Sequence, residues 1–258
     1  MKIQILKNKL IGLIIPVVLF VVWDLLTRFE IVPNTLMPAP KVLFETWWDM
    51  QNSGELLLNM KMSLLRVGAG FLIGASSGFL LGTAMGLWKP VEQYLNPVFN
   101  FFRQVPIVAW IPFLLIWLGI DEWFKIIFIS CGALIPMALK TYDGIKGVPA
   151  SYLEVVRVFE YGWFRLLRAV VLPSALPSII TGLRLSLSEA WMLVIGAELV
   201  AAGEGIGNVM VIARRLFQTD VVIVGVIVIA ITGFIMDKVI GLLEIRFLGW
   251  QQQTKSAK

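Results

Sequence analysis

The sequence predicts an all-α polytopic membrane protein of six transmembrane helices with both termini in the cytoplasm, and three observations carry that expectation. Hydrophobic residues make up 58% of the 258 residues and charged residues only 15%, against roughly 45–50% and about 25% in soluble domains. The apolar residues come in runs of about 20, the length that crosses a hydrocarbon core of about 30 Å. Lys and Arg gather beside those runs, mostly on one side of them, as positive-inside topology requires. Together with a mean hydropathy of +0.84, these features exclude a disordered chain, a secreted disulfide scaffold and an ordinary soluble enzyme.

Six apolar runs are read as spans, at roughly 10–28, 62–87, 100–118, 123–142, 178–201 and 221–243. The first follows Lys2, Lys7 and Lys9 like a signal peptide, yet it continues through Trp23 and Asp24 without a small-residue cleavage site, so it is read as a retained helix. With the N-terminus inside, fourteen basic residues fall on the cytoplasmic side, among them Lys89, Arg103, Lys140, Lys146, Arg165 and Arg168. Six fall outside: Arg28, Lys41, Lys61, Lys125, Arg214 and Arg215. This asymmetry accounts for the net charge of +5 better than a nucleic-acid partner does.

The second span carries Gly70, Gly74, Gly78, Gly82 and Gly86, one glycine every four residues. In a membrane such a stripe lets two backbones approach and pack by dispersion, so the helix is read as tightly packed within a bundle. The third span is interrupted by Pro106 and Pro112 around Trp110, each removing a backbone hydrogen bond and crowding the preceding turn. Broken helices at membrane depth line cavities or transport pathways; a purely structural kink is the other reading. The fifth span holds Arg184, Glu189 and Glu198, ionisable groups whose burial in a bilayer marks functional candidates. Arg184 could attract an anion or snorkel to the interface. Glu189 could line a cavity or pair across a dimer.

Several chemistries are excluded. The chain has no histidine, which removes His-based triads, metal sites and proton relays. The one cysteine, Cys131, sits in an apolar run and is read as a small buried hydrophobe. No GxxxxGK[ST] occurs, so the chain has no P-loop. Gly203-Glu204-Gly205-Ile206-Gly207 lacks the G-x-G-x-x-G spacing and a preceding strand, and is read as a turn. No metal and no cofactor are expected on this chain.

The long loop between the fourth and fifth spans is the most informative segment. Ser151 with Glu154 has capping-box spacing, and Leu153, Val156 and Phe159 or Glu160 follow at helical intervals. A short amphipathic helix outside the bilayer results, seated either on a partner protein or on the membrane surface.

Glu154, position 160, Val170, Leu172 and Pro173 reproduce the spacing of E-A-A-x3-G-x9-I-x-L-P. By this motif the chain resembles the membrane subunits of binding-protein-dependent ATP-binding-cassette (ABC) importers. Pro106 to Pro112, Trp117 to Ile120, Leu172 to Ile179, Gly182-Leu183-Arg184, Ala197-Glu198 and Gly205-Ile206-Gly207 are similar to the nitrate, sulfonate and taurine permease group. Phe217 to Val222 resembles its aliphatic sulfonate branch. Val155 and Val156 depart from the two motif alanines, and Glu160 stands where the motif glycine belongs, with Gly162 two residues later.

The resemblance implies a type I importer permease fold in a single domain, 1–258, with its core at about 60–245 and a coupling loop at about 148–172. It implies a bacterial inner-membrane location, a second permease copy and a periplasmic or lipid-anchored substrate-binding protein. It also implies partner ATPase subunits that carry ATP and Mg, docked through Glu154, Val155, Val156, Arg157, Phe159, Glu160 and Gly162. The cargo implied is a small anion of the sulfonate, taurine, nitrate or bicarbonate kind, on a pathway near Pro106, Trp110, Pro112, Arg184 and Glu189. A stand-alone secondary transporter or channel is the alternative, and it has no use for an ATPase-docking loop.

Overall fold

The computed structural model describes residues 2–33, 35–149, 151–152, 162–201 and 203–255. Among the described residues the structure is helical throughout, without a strand. A long helix α1 (Lys2–Arg28) leads by a loop into the short α2 (Pro40–Asn52), and α3 (Glu55–Leu87) follows. After α3 come α4 (Lys89–Phe102), a 3₁₀ turn (Ile107–Trp110) and α5 (Ile111–Leu118), then α6 (Glu122–Lys146). The remainder is α7 (Trp163–Val200), the amphipathic α8 (Ile206–Arg215) and α9 (Thr219–Lys255).

Four helices, α3, α6, α7 and α9, are long and apolar enough to cross a membrane. A fifth crossing is made if α4 and the segment Ile107–Leu118, bent 86° from each other, count as one span. The packing decides in favour of that count. Gly70 lies against Ile129, Gly78 against Leu134 and Met137, and Gly86 against Ile145, so α3 and α6 run parallel. The chain between Leu87 and Glu122 therefore returns to the end from which α3 started. α7 is antiparallel to α6, with Gly144 on Ala175 and Gly132 on Leu193. α9 runs back along α7, with Trp191 beside Gly233 and Arg184 beside Asp237.

The third span thus differs from the sequence expectation. It is not an apolar run over 100–118 broken twice. The helix starts at Lys89 and ends at Phe102, and the break falls at 103–106, ahead of Pro106. Pro112 does not interrupt anything: it occupies the first turn of α5, where a proline's missing N–H has no intrahelical partner to lose. Arg103, expected near the cytoplasmic surface, is placed at the bend. Phe102 and Val105 on either side of it share a cavity wall with Cys131, Leu134 and Ile135, halfway along α6.

The tightest seam is α3 on α6. A Cβ at Gly74 or Gly82 would collide with the carbonyl oxygen of Ser130 or Ala138, and at Gly78 it would lie 2.5 Å from Leu134 O. The main core, with Val67, Phe124, Phe128, Ile129, Ala133, Ala190, Trp191 and Val194, fills the junction of α3, α6 and α7. Outside it, α1, α3 and α9 expose Leu19, Leu72, Leu80, Phe234 and Leu242, the apolar surface that lipid or a neighbouring subunit covers.

Near its start α7 contains a π-helical turn, Leu167–Val171, in which the Leu172 N–H reaches back to Leu167 O. Pro173, having no N–H, follows directly, and the wider turn absorbs the break while leaving the helix continuous.

Candidate functional site

Charged and polar side chains inside the bundle collect at three levels. At the Glu55 end of α3, the Arg66 guanidinium is 3% exposed and grips two carboxylates. Its Nε and Nη2 donate to Glu122 at 2.7 and 2.8 Å, and its Nη1 donates to Glu198 at 2.7 Å. Glu198 is fully enclosed. It also accepts from the Ser63 hydroxyl at 2.8 Å and from the Gly207 N–H at 2.9 Å. Asn59 accepts from the Gly205 N–H at 2.7 Å, and Lys125 donates to Glu122 at 2.9 Å.

The Gly203–Gly207 turn therefore does bind an anion, and that anion is the chain's own carboxylate. Gly205 has φ +121, a conformation that only glycine adopts without strain. A Cβ at Gly205 would run into the Glu198 carboxylate, and one at Gly207 would sit 2.8 Å from Glu198 Cβ. The acid lies against the N-terminus of α8, where free N–H groups and the helix dipole favour it. The network joins α3, α6, α7 and α8. Sequence reading picked out Ala197-Glu198 and Gly205-Ile206-Gly207 separately and missed Arg66, whose signal was its charge inside an apolar run.

At the opposite end, Arg184 is neither a free anion receptor nor a snorkelling side chain. Its guanidinium forks onto Asp237 at 2.7 and 2.8 Å and reaches Glu244 at 3.2 Å, tying α7 to α9. Beside it Trp191, Ser188 and Gly233 help to line a small cavity of about 200 Å³. At this same end Glu92 of α4 accepts from Tyr142 at 2.7 Å and pairs with Lys146 of α6. Asn96 and Asn100 continue that polar line along α4, the Asn100 carboxamide donating to Asn96 Oδ1 at 2.6 Å.

Between the two ends, the 103–106 break opens an apolar chamber of about 210 Å³ walled by Phe102, Val105, Trp110, Phe113, Cys131 and Leu134. Aromatic rings step along one side of it, from Phe102 to Trp110 to Phe113, and on to Trp117 beyond it, with centroids 4.6–5.9 Å apart. Of the sequence candidates, Trp110 lines this chamber and Pro106 introduces the turn that carries Trp110. Glu189 is half-buried on the α6-facing side of α7, its Cγ 3.4 Å from where a Gly132 Cβ would stand. It has no hydrogen-bond or ion-pair partner among the described residues. Glu154, Val155, Val156, Arg157, Phe159 and Glu160 lie outside the described residues; Gly162 directly precedes α7.

Residues 70–248 match the family described as the binding-protein-dependent transport system inner membrane component. The chain belongs to that family. It is the permease, the transport subunit, of an ABC importer system. Among its relatives, an aliphatic sulfonates transport permease of Bacillus subtilis is 38% identical over 93% of this chain and 87% of its own. The taurine transport system permease of Escherichia coli is 30% identical over 92% of this chain and 88% of its own. The bicarbonate transport system permease of Synechococcus elongatus is 30% identical over 96% and 91%. The crystal structure of an amino acid ABC transporter with histidines shares the fold, with a TM-score of 0.59 at 16% identity over 76% of this permease and 96% of that chain.

Proposed function

We propose that the permease carries a small oxyanion, of the aliphatic sulfonate, taurine, nitrate or bicarbonate kind, inward across the bacterial inner membrane. The observation that carries this reading is the similarity over nearly the whole chain to permeases named for sulfonates, taurine and bicarbonate. α1, 27 residues long and sharing a cavity wall with α9 through Trp23 and Val228, makes a sixth crossing. Both termini are then cytoplasmic. Two copies form the pathway, a substrate-binding protein delivers the anion at the Arg66–Glu198 end, and ATPase subunits holding ATP and Mg dock at the other.

Docking is through Glu154, Val155, Val156, Arg157, Phe159, Glu160 and Gly162, immediately ahead of α7. Closure of the ATPases then moves α7 as a rigid body. Trp110 walls the route, Pro106 and Pro112 shape its bend, and Glu189 faces it or its counterpart in the second copy.

The experiment is uptake in proteoliposomes holding the permease with its partner ATPase and substrate-binding protein. Labelled taurine, an alkanesulfonate, nitrate and bicarbonate are offered in turn. One of them should accumulate only with ATP. Glu154→Lys should assemble at normal levels yet lose the stimulation of ATP hydrolysis by loaded binding protein, since a lost charge-assisted docking contact costs about 2–5 kcal/mol. Uptake without any ATPase would overturn the reading in favour of a secondary transporter.

A further inference from the structure

The bend between α4 and the 3₁₀ turn holds a charge that nothing among the described residues satisfies. The Arg103 side chain is exposed and makes no hydrogen bond or ion pair among the described residues. Its neighbours Phe102 and Val105 wall a cavity shared with the middle of α6, so it stands at mid-bundle depth. A cation there cannot face hydrocarbon cheaply, and such residues face a bundle interior or a water-filled cavity.

Arg103 also ends a stripe. Glu92, Asn96, Asn100 and Arg103 follow at steps of four, four and three residues, which puts them on one face of α4. Glu92 is held by Tyr142 and Lys146, Asn100 donates to Asn96 Oδ1, and Asn96 donates to the Tyr142 hydroxyl at 3.4 Å. That leaves the Asn100 carbonyl and a second N–H on each carboxamide. Both asparagines are partly exposed, which leaves these spare groups available to a solute on this face.

Resting on the oxyanion-importer reading, we propose that Arg103 recognises the anionic end of the solute, while the chamber beside Trp110 receives its hydrocarbon part. A guanidinium offers planar, paired N–H donors that match two oxygens of a sulfonate or carboxylate. The asparagine amides are neutral donors, which hold an oxyanion weakly enough to pass it on towards the Glu92–Lys146 end. The apolar chamber and the adjoining cation together suit a solute with a short alkyl part and a charged head.

The test reads access and charge at this face without knowing the natural solute. In a Cys131→Ser background, Asn100→Cys and, separately, Gln104→Cys are placed in the assembled transporter. Right-side-out and inverted membrane vesicles are then treated with the sulfonate-bearing 2-sulfonatoethyl methanethiosulfonate or its cationic trimethylammonium counterpart. Val98→Cys, on the apolar exposed side of α4, is the control. Labelling by the sulfonate reagent should be at least tenfold faster at 100 or 104 than at 98. Adding Arg103→Gln should lower the anionic-to-cationic rate ratio at least fivefold, and Arg103→Lys should restore most of it.

No labelling at 100 and 104 from either side overturns the proposal, because the face is then sealed by lipid or a second copy. A ratio unmoved by Arg103→Gln overturns it equally. Neither readout depends on ATP, so failure here is separable from failure of the importer reading. In ATP-driven uptake of whichever anion the wild type accumulates, Arg103→Gln should raise the half-saturating concentration or reduce the rate at least tenfold. Stimulation of ATP hydrolysis by the binding protein should persist.

Discussion

At the scale of the residue, Arg66 and Glu198 differ from Glu122 in what they would leave behind. Removing one partner of a buried pair strands the other, at a cost of about 3–5 kcal/mol. Glu198→Ala would take from Arg66 its buried partner, leaving it only the half-exposed Glu122, and would strand the N–H of Gly207 and the Ser63 hydroxyl. It should therefore lower the thermal unfolding midpoint in detergent sharply and expose the 203–205 turn to protease. The Glu122 side chain is 51% exposed, and Arg66 keeps Glu198 when Glu122 is lost. Glu122→Ala should cost markedly less in the same assay. The charges themselves were legible in the sequence, since an ionised group in an apolar run stands out. Their pairing was not, because Arg66 and Glu198 are 132 residues apart and no local pattern joins them. Arg184 shows the same limit, its partner Asp237 lying in another span.

At the scale of the element, the glycine stripe and the third span behaved oppositely under sequence reading. Period-four glycines mark one helix face whatever the partner, so the stripe was visible, although α6 as its partner was not. The seam yields a graded expectation. Gly78→Ala places a methyl against Leu134 O and should cost about 1–3 kcal/mol by overpacking, and Gly78→Leu should abolish accumulation of the assembled protein in the membrane. Gly68, on the same helix, has nothing within 4 Å of its added Cβ, and Gly68→Ala should leave expression and stability unchanged or slightly improved. The third span misled because α4 carries Lys89, Glu92, Gln93, Asn96 and Asn100. An apolar-run criterion skips a helix whose inner face is polar, and it began the span eleven residues late.

At the scale of the whole molecule, the parallel course of α3 and α6 is a statement about topology that reporter fusions can check. Fusions after residues 53, 120 and 217 should all read as one side of the membrane, the periplasm, and fusions after 88 and 148 as the cytoplasm. A cytoplasmic reading at 120 would mean that α4 and α5 form a re-entrant loop, in conflict with the parallel packing of their flanking helices. Five of the six expected spans fall, to within one residue, inside single described helices, because continuous hydrophobicity over a membrane's thickness is a one-dimensional property. The bend beside Pro106 was legible, but the chamber it opens was not, since that comes from Phe102, Trp110 and Cys131 meeting across separate helices.

The α3–α6 seam also sets a limit on movement. Gly74, Gly78 and Gly82 face the carbonyls of Ser130, Leu134 and Ala138, and both helices advance four residues at each mark. Like a vernier with one coincidence, the pair can be read in a single position. A slip of one residue drives side chains into carbonyl oxygens, and the next matching register lies a full four residues away, about 6 Å along the axis. Thermal motion does not bridge that distance in a packed interior. The two helices must travel as one beam, and whatever alternates between the faces of the membrane is hung from it: the bent arm of α4 on one flank and the loosely seated α9 on the other.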